Sequence, residues 1–544
     1  MGLGKIWTVH QVLKPILGPS SSHTSAPLVA GYLTYRLSFL DEEFPSFSKK
    51  NIDEYLESLS ISIICSDPKR ERLSFIGHRT IRATILGLMG VYFDAEGLKK
   101  LDAYKKLLMN KYEREDDLLR HRNIGLTKGQ FSGSYGLAIF TEYRKKNYQF
   151  SFNFHSLGGG VISIAGAILH KPGVGRGIEN IRDFYKAPEF VPDGEELKKD
   201  IEDLFGSEVP IWVYFDTTTL RNFGRYHSFR DALEKGTNIY LNLDALAKNL
   251  ARRYGDLTTN MFGEVIYRYE TQVFEDSEKF MAFVRDLMWE NNVRSVKYGQ
   301  YSVYIHSEVK DFKFDGRDIP ERLLSYTLRN QLLDSEMEVI VSAPTGGASG
   351  ILPANLRVFA EENGFRKNSI EYLYAHYTAA AIGAFIANNM SVAGAQHGCL
   401  AEIGTSIAMA TAAIIDLRLS GNAVSMEKRI EKIFSGVGIV MLALQGLACD
   451  PLFGYVEVPC VLRNALLSIL PIHAANMVIG GYRPILSTRC ILQAVKKTGE
   501  MLVKALKESG TGPLTCTYSL CKLREKGIEE EIIQLIEKKI DWAR

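Results

Sequence analysis

The chain has 544 residues, of which 46% are hydrophobic and 24% charged, and 65 basic and 63 acidic residues leave a formal net charge of +2. This length is enough for two or three domains, each with its own core. The near balance of charge gives no electrostatic reason to expect nucleic acid or an anionic membrane as a partner. The most apolar stretches are about 11 to 13 residues long, whereas a bilayer requires about 20. A cytoplasmic protein with no membrane and no nucleic-acid partner is predicted.

The predicted elements change in character along the chain. A Ser/Thr-rich start predicts a helix over Ser21–Phe39, because hydroxyl side chains satisfy the first N–H groups of a helix. Alternating β-branched and polar residues predict strands over Ser58–Cys65 and Gln149–His155. From about residue 257 the pattern is mostly helical, and 376–447 is rich in Ala and Gly. The expected fold is α+β, with three regions: an N-terminal α/β domain at 1–170, a connecting region at 171–256, and a helical domain at 257–544.

Seven cysteines, six of them after residue 398, are too few and too unevenly placed for an extracellular disulfide framework. Cys399, Cys449 and Cys460 lack the C-x-x-C spacing of zinc knuckles and ferredoxins. Spacing alone leaves two interpretations open, three buried structural cysteines or three metal ligands. Three thiolates on one iron–sulfur cluster would leave the fourth iron without a thiolate, as a Lewis acid.

Two short segments carry candidate groups for binding and proton transfer. In Gly18-Pro-Ser-Ser-Ser-His-Thr24, the hydroxyls of Ser20 and Ser22 and the imidazole of His23 suit a carboxylate at a helix start. A plain N-cap with a surface histidine is the alternative. In Gly77-His-Arg-Thr80, His78 is either a general base or a capping or surface residue.

A third segment, Ser342-Ala-Pro-Thr-Gly-Gly-Ala-Ser-Gly350, lies between a strand-like run and a predicted helix. Its glycines allow backbone N–H groups to approach an anion. It has no lysine after the last glycine, so it is not a phosphate-binding loop of the nucleotide-binding type. A tight turn is the alternative.

Taken in order, these segments resemble the iron–sulfur L-serine dehydratase family. The similar segments are GPSSSHT (18–24), GHRT (77–80), HSLGGG (155–160), SAPTGGASGILPA (342–354), NMSVAGAQHGCLAEIG (389–404), CDPLFGYVEVPCVLRNA (449–465) and LVKALKESGTGPL (502–514).

The resemblance implies an enzyme that eliminates water from L-serine to give pyruvate and ammonia. It implies a 4Fe–4S cluster on Cys399, Cys449 and Cys460, and no pyridoxal phosphate, whose S-x-K-x-R-G motif is absent from this sequence. Separately from the resemblance, we expect a homo-oligomer, with a dimer as the first expectation. The implied substrate pocket lies between the domains and comprises Ser20, Ser22, His23, His78, Thr80, Ser156, Thr345 and Gly346.

Of the two histidines we favour His78 as the base that removes the Cα proton, because His23 among hydroxyls is better placed to bind the carboxylate. Ile81 stands where the family has Asp, so the local sequence offers His78 no orienting carboxylate. Whether Cys516 or Cys521 approaches the fourth iron is left open. Two other functions also stay open, a cluster-dependent lyase acting on cysteine or another β-substituted amino acid, and a non-catalytic relative that binds an amino acid.

Overall fold

The protein is described by a computed structural model. The described residues are 9–38, 46–93, 95–129, 137–145, 148–170, 214–215, 262–273, 276–297, 299–304, 309, 312–314, 316–538 and 540. The chain forms two compact units, one of Ser20–Ala232 and one of Met1–Pro19 with Leu233–Arg544. We call them the sheet unit and the helical unit and describe each by itself.

The described strands are β1 Pro15–Leu17, β2 Leu59–Cys65, β3 Ile124–Lys128, β4 Leu137–Lys145, β5 Tyr148–Gly158, β6 Val161–His170, β7 Tyr214–Phe215 and β8 Val339–Val341. The described α-helices are α1 Val9–Val12, α2 Ala26–Ser38, α3 Ile52–Glu57, α4 Pro68–Gly77, α5 Thr80–Leu88, α6 Ala95–Lys111, α7 Glu115–Leu119, α8 Phe262–Val273, α9 Ser277–Asn291, α10 Ile319–Ser335, α11 Ile351–Asn363, α12 Ile370–Asn389, α13 Gly394–His397, α14 Thr405–Leu419, α15 Met426–Ala443, α16 Leu462–Leu467, α17 Leu470–Ile479, α18 Thr488–Met501, α19 Pro513–Glu525 and α20 Glu530–Lys538. Short π-helical turns span Ser21–Ser25, Leu400–Gly404 and Glu457–Val461, and 3₁₀ turns span Gly346–Ala348, Leu452–Gly454 and Lys504–Leu506.

The sheet unit contains a six-stranded sheet in the order β3-β2-β4-β5-β6-β7. The β2–β3 pair is parallel and the other pairs are antiparallel. Both predicted strands are confirmed: along β2 the residues alternate between buried and half-buried positions, and the second lies within β5. The predicted helix after the Ser/Thr cluster is also confirmed, as a π-helical turn followed by α2.

Helices α2 and α5 of the sheet unit pack backbone to backbone. A Cβ atom on Gly31 would lie 2.1 Å from the carbonyl oxygen of Thr84, and one on Gly87 would lie 1.9 Å from that of Leu28. Only glycine allows this approach. It brings the N-terminal ends of the two helices together, and there Thr24 donates a hydrogen bond to the carbonyl of His78 over 2.5 Å.

The helical unit is built around α14, in which every residue except Arg418 is buried. The Ala/Gly-rich helices predicted between 376 and 447 are confirmed as α12, α14 and α15. The N-terminal segment belongs to this unit, because β1 pairs antiparallel with β8, with Ile16 opposite Ile340. The site of interest is built at the start of α14.

Two described segments are long and apolar enough to cross a membrane by length and composition, Leu400–Leu419 and Glu457–Ile479. Within the first, 94% of an 18-residue window is buried inside the protein, which is typical of a core helix. In the second segment, 44% of such a window is buried. This segment comprises a π-helical turn followed by α16 and α17.

The α+β fold class is confirmed: the described sheet strands lie mostly in the N-terminal part and the C-terminal part is helical. The predicted connecting region at 171–256 lies outside the described residues, apart from β7. The boundaries at 170 and 257 therefore stay predictions.

Candidate metal centre

Three cysteine thiols meet in the interior of the helical unit. Cys399, Cys449 and Cys460 are each at most 3% exposed, and the thiols of Cys449 and Cys460 both lie within hydrogen-bonding reach of Cys399. They come from three segments that are separated by 50 and 11 positions along the chain (449 − 399 and 460 − 449). This convergence favours the interpretation of the three cysteines as metal ligands over their interpretation as three unrelated structural cysteines.

The backbone around each cysteine explains this convergence. Gly398 has a φ of +78°, and a Cβ there would lie 2.7 Å from the carbonyl oxygen of Leu447, so the chain before Cys399 is pressed against the segment that leads to Cys449. Cys449 is held on both sides, because its N–H donates to Leu506 over 2.9 Å and its carbonyl accepts from the N–H of Glu508 over 2.9 Å. Glu508 has a φ of 59°, a conformation that is uncommon for a residue other than glycine.

A guanidinium group compensates the negative charge of the thiols. Hydrogen bonds from Cys449 and Cys460, together with Arg463, lower the pKa of Cys399 well below its usual value. Hydrogen bonding to Cys399 and burial raise the pKa values of Cys449 and Cys460. Burial alone would lower the pKa of Arg463, but the charge of Cys399 and Cys460 raises it. A buried anionic site needs such a cation.

Three buried carboxyl groups of the helical unit were missed by sequence reasoning. Burial is the main reason that the pKa values of Glu402 and Glu508 are raised. The charge of Cys399 raises both pKa values further, and that of Glu508 also raises the pKa of Glu402. Asp334 is completely buried, and neither of its carboxyl oxygens has a hydrogen-bond partner among the described residues. Burial raises the pKa of Asp334 well above its usual value. A signal for Glu402 existed, because it lies three positions after Cys399 in the same motif.

The glycine-rich loop of 342–350 is tied to the cysteine site. Asn464 donates hydrogen bonds of 2.8 Å to the carbonyls of both Gly347 and Cys460. Thr345 is buried at the start of the 3₁₀ turn, and its proximity lowers the pKa of the Glu402 carboxyl. Gly346 is the first residue of that turn and is also buried. The structure thus brings Thr345 and Gly346 together with the three cysteines.

A second group of predicted residues meets within the sheet unit. The Oγ of Ser20 accepts from the N–H of His23 over 3.2 Å, which confirms the predicted N-cap. Ser22 Oγ lies 2.9 Å from His23 Nδ1, and Ser156 Oγ donates to the carbonyl of Ser22 over 3.0 Å. The rings of His23 and His78 stack with centroids 4.9 Å apart.

Both histidines are buried and neutral at pH 7. The interpretation of either one as a surface residue is wrong, because His78 is fully buried and His23 is only 9% exposed. Burial lowers the pKa of His23 to about 4, and burial and the proximity of His23 lower the pKa of His78 well below its usual value. Ile81 stands where the family has Asp, and it is Ser74 that contacts His78, with Ser74 Oγ 3.1 Å from His78 Nδ1. Thr80, the first residue of α5, is also buried.

A sequence model of the family described as "Serine dehydratase alpha chain" matches residues 227–515. This stretch covers more than half of the chain and contains all three cysteines. The chain belongs to the serine dehydratase alpha chain family.

Individual serine dehydratase chains support the same assignment. The chain is 34% identical over 195 residues to the probable L-serine dehydratase alpha chain of Bacillus subtilis, covering 36% of this chain and 61% of that protein. It is 30% identical over 213 residues to the L-serine dehydratase alpha chain of Peptoniphilus asaccharolyticus, covering 39% and 70%. With L-serine dehydratase 1 of Escherichia coli the identity is 35% over 178 residues, covering 32% and 37%.

The family match begins at residue 227. It therefore includes Thr345, Gly346 and the cysteine site, whereas the resemblance of the motifs around Ser20, Ser22, His23, His78, Thr80 and Ser156 stays a prediction. The cysteine site of this serine dehydratase alpha chain relative has three convergent buried thiols and one adjacent guanidinium. That donor set suits an iron–sulfur cluster, because thiolates are the ligands of such clusters.

Proposed function

We propose that the chain eliminates water from L-serine to give pyruvate and ammonia, with a 4Fe–4S cluster held by Cys399, Cys449 and Cys460. The observation that carries this proposal is the convergence of the three thiols in the part of the chain that matches the family. Arg463 supports it, because three thiolates and a cluster together bear negative charge in the protein interior. When bound, a cluster with one iron free of thiolate would supply a Lewis acid for the hydroxyl of the substrate.

The residues of the sheet unit supply the proton chemistry in this proposal. A neutral imidazole is needed to take the Cα proton, and the lowered pKa of His78 keeps it neutral at pH 7. Because Ser74 engages Nδ1, we assign the proton transfer to Nε2. The Cα–H electrons form the new C=C bond as the C–O bond breaks and the hydroxyl group leaves as hydroxide. The proton that His78 takes from Cα balances this hydroxide, so that the net loss is one molecule of water. The aminoacrylate product then tautomerises and hydrolyses to pyruvate and ammonia.

The other predicted site residues divide into two proposed roles. Ser20 and Ser22, at the start of the π-helical turn, are proposed to bind the substrate carboxylate beside His23, and Thr80, Thr345 and Gly346 are proposed as further substrate-binding residues. Ser156 has a different task, since its hydroxyl donates to the carbonyl of Ser22. We therefore propose that Ser156 positions this turn.

The cofactor requirement, the cellular location and the oligomeric state are also proposals. The reaction needs no pyridoxal phosphate, and a cytoplasmic enzyme fits the oxygen sensitivity expected of an incompletely ligated cluster. The expected homodimer stays a prediction.

Alanine variants of single cysteines test the ligand assignment. We expect that Cys449→Ala, reconstituted anaerobically with iron and sulfide, retains no intact cluster, because a buried ligand is lost, and the same is expected of Cys399→Ala and Cys460→Ala. The matched control is Cys490→Ala, whose side chain is exposed on α18; like Cys65→Ala, it should keep the cluster. Iron content and the visible absorption spectrum are the measurements. Full iron content and activity in Cys449→Ala would refute the assignment.

A further inference from the structure

We propose that the carboxylate of Glu402 is the oxygen ligand of the fourth iron, the one that the three cysteines leave without a thiolate. This inference rests on the proposed function, because it requires the cluster. It concerns the state of the site before substrate arrives.

The remaining cysteines in the described part of the chain do not converge on the site. Cys65 lies in β2 of the sheet unit, Cys490 and Cys521 are exposed, and Cys516 directs its thiol to the carbonyl of Thr511 over 3.6 Å. The sequence left open whether Cys516 or Cys521 approaches the fourth iron. We infer that neither of them does. In the part of the chain that the structure describes, a carboxyl oxygen of Glu402 meets the sulfurs of Cys399 and Cys449.

The side chain of Glu402 lies directly against the cysteine sulfurs. One carboxyl oxygen of Glu402 and the sulfurs of Cys399 and Cys449 all lie within 4.8 Å of one another. Glu402 reaches this position because it follows Cys399 by three residues in a helical turn, and side chains three apart lie on the same helix face.

Two glycines keep the space in which this carboxyl group lies. A Cβ on Gly394 would lie 2.9 Å from Glu402 Oε2 and 3.3 Å from Cys449 Sγ. A Cβ on Gly347 would lie 3.2 Å from the same carboxyl oxygen. The carboxyl group thus occupies a slot between two segments that carry no side chain at the point of contact, and the slot opens onto a cysteine sulfur.

The chemistry of iron accounts for a carboxylate at this place. Carboxylates are regular ligands of iron in proteins, and burying one without a cation is costly. A fourth thiolate would hold its iron firmly, whereas a single oxygen ligand exchanges more readily. Glu402 would therefore protect the fourth iron while the site is empty and give way to the hydroxyl of the substrate.

The test follows the fourth iron itself rather than activity. The full chain is reconstituted anaerobically with iron and sulfide, a limited amount of ferricyanide is added, and the three-iron product of cluster oxidation is followed by electron paramagnetic resonance. Loss of even an outer partner of a metal ligand typically weakens metal binding about 10- to 100-fold, and loss of a direct ligand should weaken it at least as much. We therefore expect Glu402→Gln to lose its fourth iron at least about 10-fold faster than the wild type, with the other three irons retained.

Two further variants complete the experiment. Glu402→Asp keeps a carboxylate and should lose iron more slowly than Glu402→Gln. The matched control is Glu270→Gln in the same unit, a completely buried carboxyl group whose neighbour is His10 at 3.4 Å; it should lose iron at the wild-type rate. Equal rates in wild type, Glu402→Gln and Glu402→Asp would overturn the role of Glu402 but leave the proposed function standing. A wild-type chain that binds no iron would overturn both.

Discussion

Replacing Asp416 by Asn should destabilise the helical unit without touching a cluster ligand. Asp416 is a completely buried residue of α14, the helix that continues directly from the turn bearing Glu402. Its Oδ1 accepts from the N–H of Phe262 over 2.8 Å and from Arg429 Nη1 over 3.1 Å. Its Oδ2 accepts from the N–H of Gly263 over 2.9 Å and from Thr378 Oγ1 over 2.6 Å. One carboxylate therefore joins four helices.

The magnitude follows from these partners. The N–H groups of Phe262 and Gly263 belong to the first turn of α8 and have no acceptor within that helix. In Asn, an NH₂ group replaces one of the two acceptor oxygens of Asp416, so the two donors that this oxygen now accepts from would face a third donor. The fully buried Arg429 would also lose its carboxylate partner. Breaking a buried ion pair typically costs about 3–5 kcal/mol. We expect a loss of about that size in the free energy of unfolding.

Urea unfolding followed by circular dichroism, under anaerobic conditions, is the assay. The control is Asp286→Asn, which removes a 40% exposed carboxylate paired with Arg285 and Lys367. Exposed pairs contribute about 0–1 kcal/mol, so the control should stay close to wild type. A loss below about 1 kcal/mol for Asp416→Asn would refute the view that this carboxylate organises the unit.

Replacing His78 by Gln should lower kcat by about 100-fold or more with the cluster spectrum and serine binding preserved. Near-normal turnover with weakened apparent affinity would instead pass the base role to His23. Because the pKa of His78 is lowered well below 6.5, wild-type kcat/KM should hold its value down past pH 6.5 before the base is protonated. An acid limb at or above pH 6.5 would contradict this. The raised pKa of Asp334 keeps a proton on this carboxyl in the folded protein at pH values where the unfolded chain, with a pKa of about 3.8, has lost it. The free energy of unfolding should therefore fall as pH rises above about 3.8, by about 1.4 kcal/mol per pH unit, until the pKa of Asp334 in the folded protein is reached. The Asp334→Asn variant should lack this dependence on pH. The melting temperature of the wild type minus that of the variant should therefore become more negative from pH 4 to pH 7. A difference that does not change with pH would contradict this prediction.

Local patterns predicted the local structure well. The alternation of β2 and β5 and the Ser/Thr cluster before α2 are set by neighbours within a few residues, so the chain sequence contains the whole signal. Helix α4, which lies between β2 and His78, was missed because its charged sequence has no clear apolar periodicity.

Long-range convergence could not be predicted from local patterns. The pairing of Ile16 with Ile340 spans more than three hundred residues, and the slot for Glu402 is formed by Gly347 and Gly394 from two other segments. The three cysteines were recognised by resemblance to a family and not by their spacing. The buried carboxyl of Asp334 carried no sequence signal, because burial of a single acidic residue depends on the tertiary packing around it.

The most direct test of the central claim is to reconstitute the full chain anaerobically, count its iron and assay it with L-serine. We predict a brown protein with about four irons per chain that forms pyruvate and ammonia from L-serine and loses this activity in air. Assays with L-cysteine, followed by sulfide release, separate the alternative lyase, and a brown protein that acts on neither amino acid would favour a binding role. A colourless, iron-free protein that still forms pyruvate from L-serine would contradict the account.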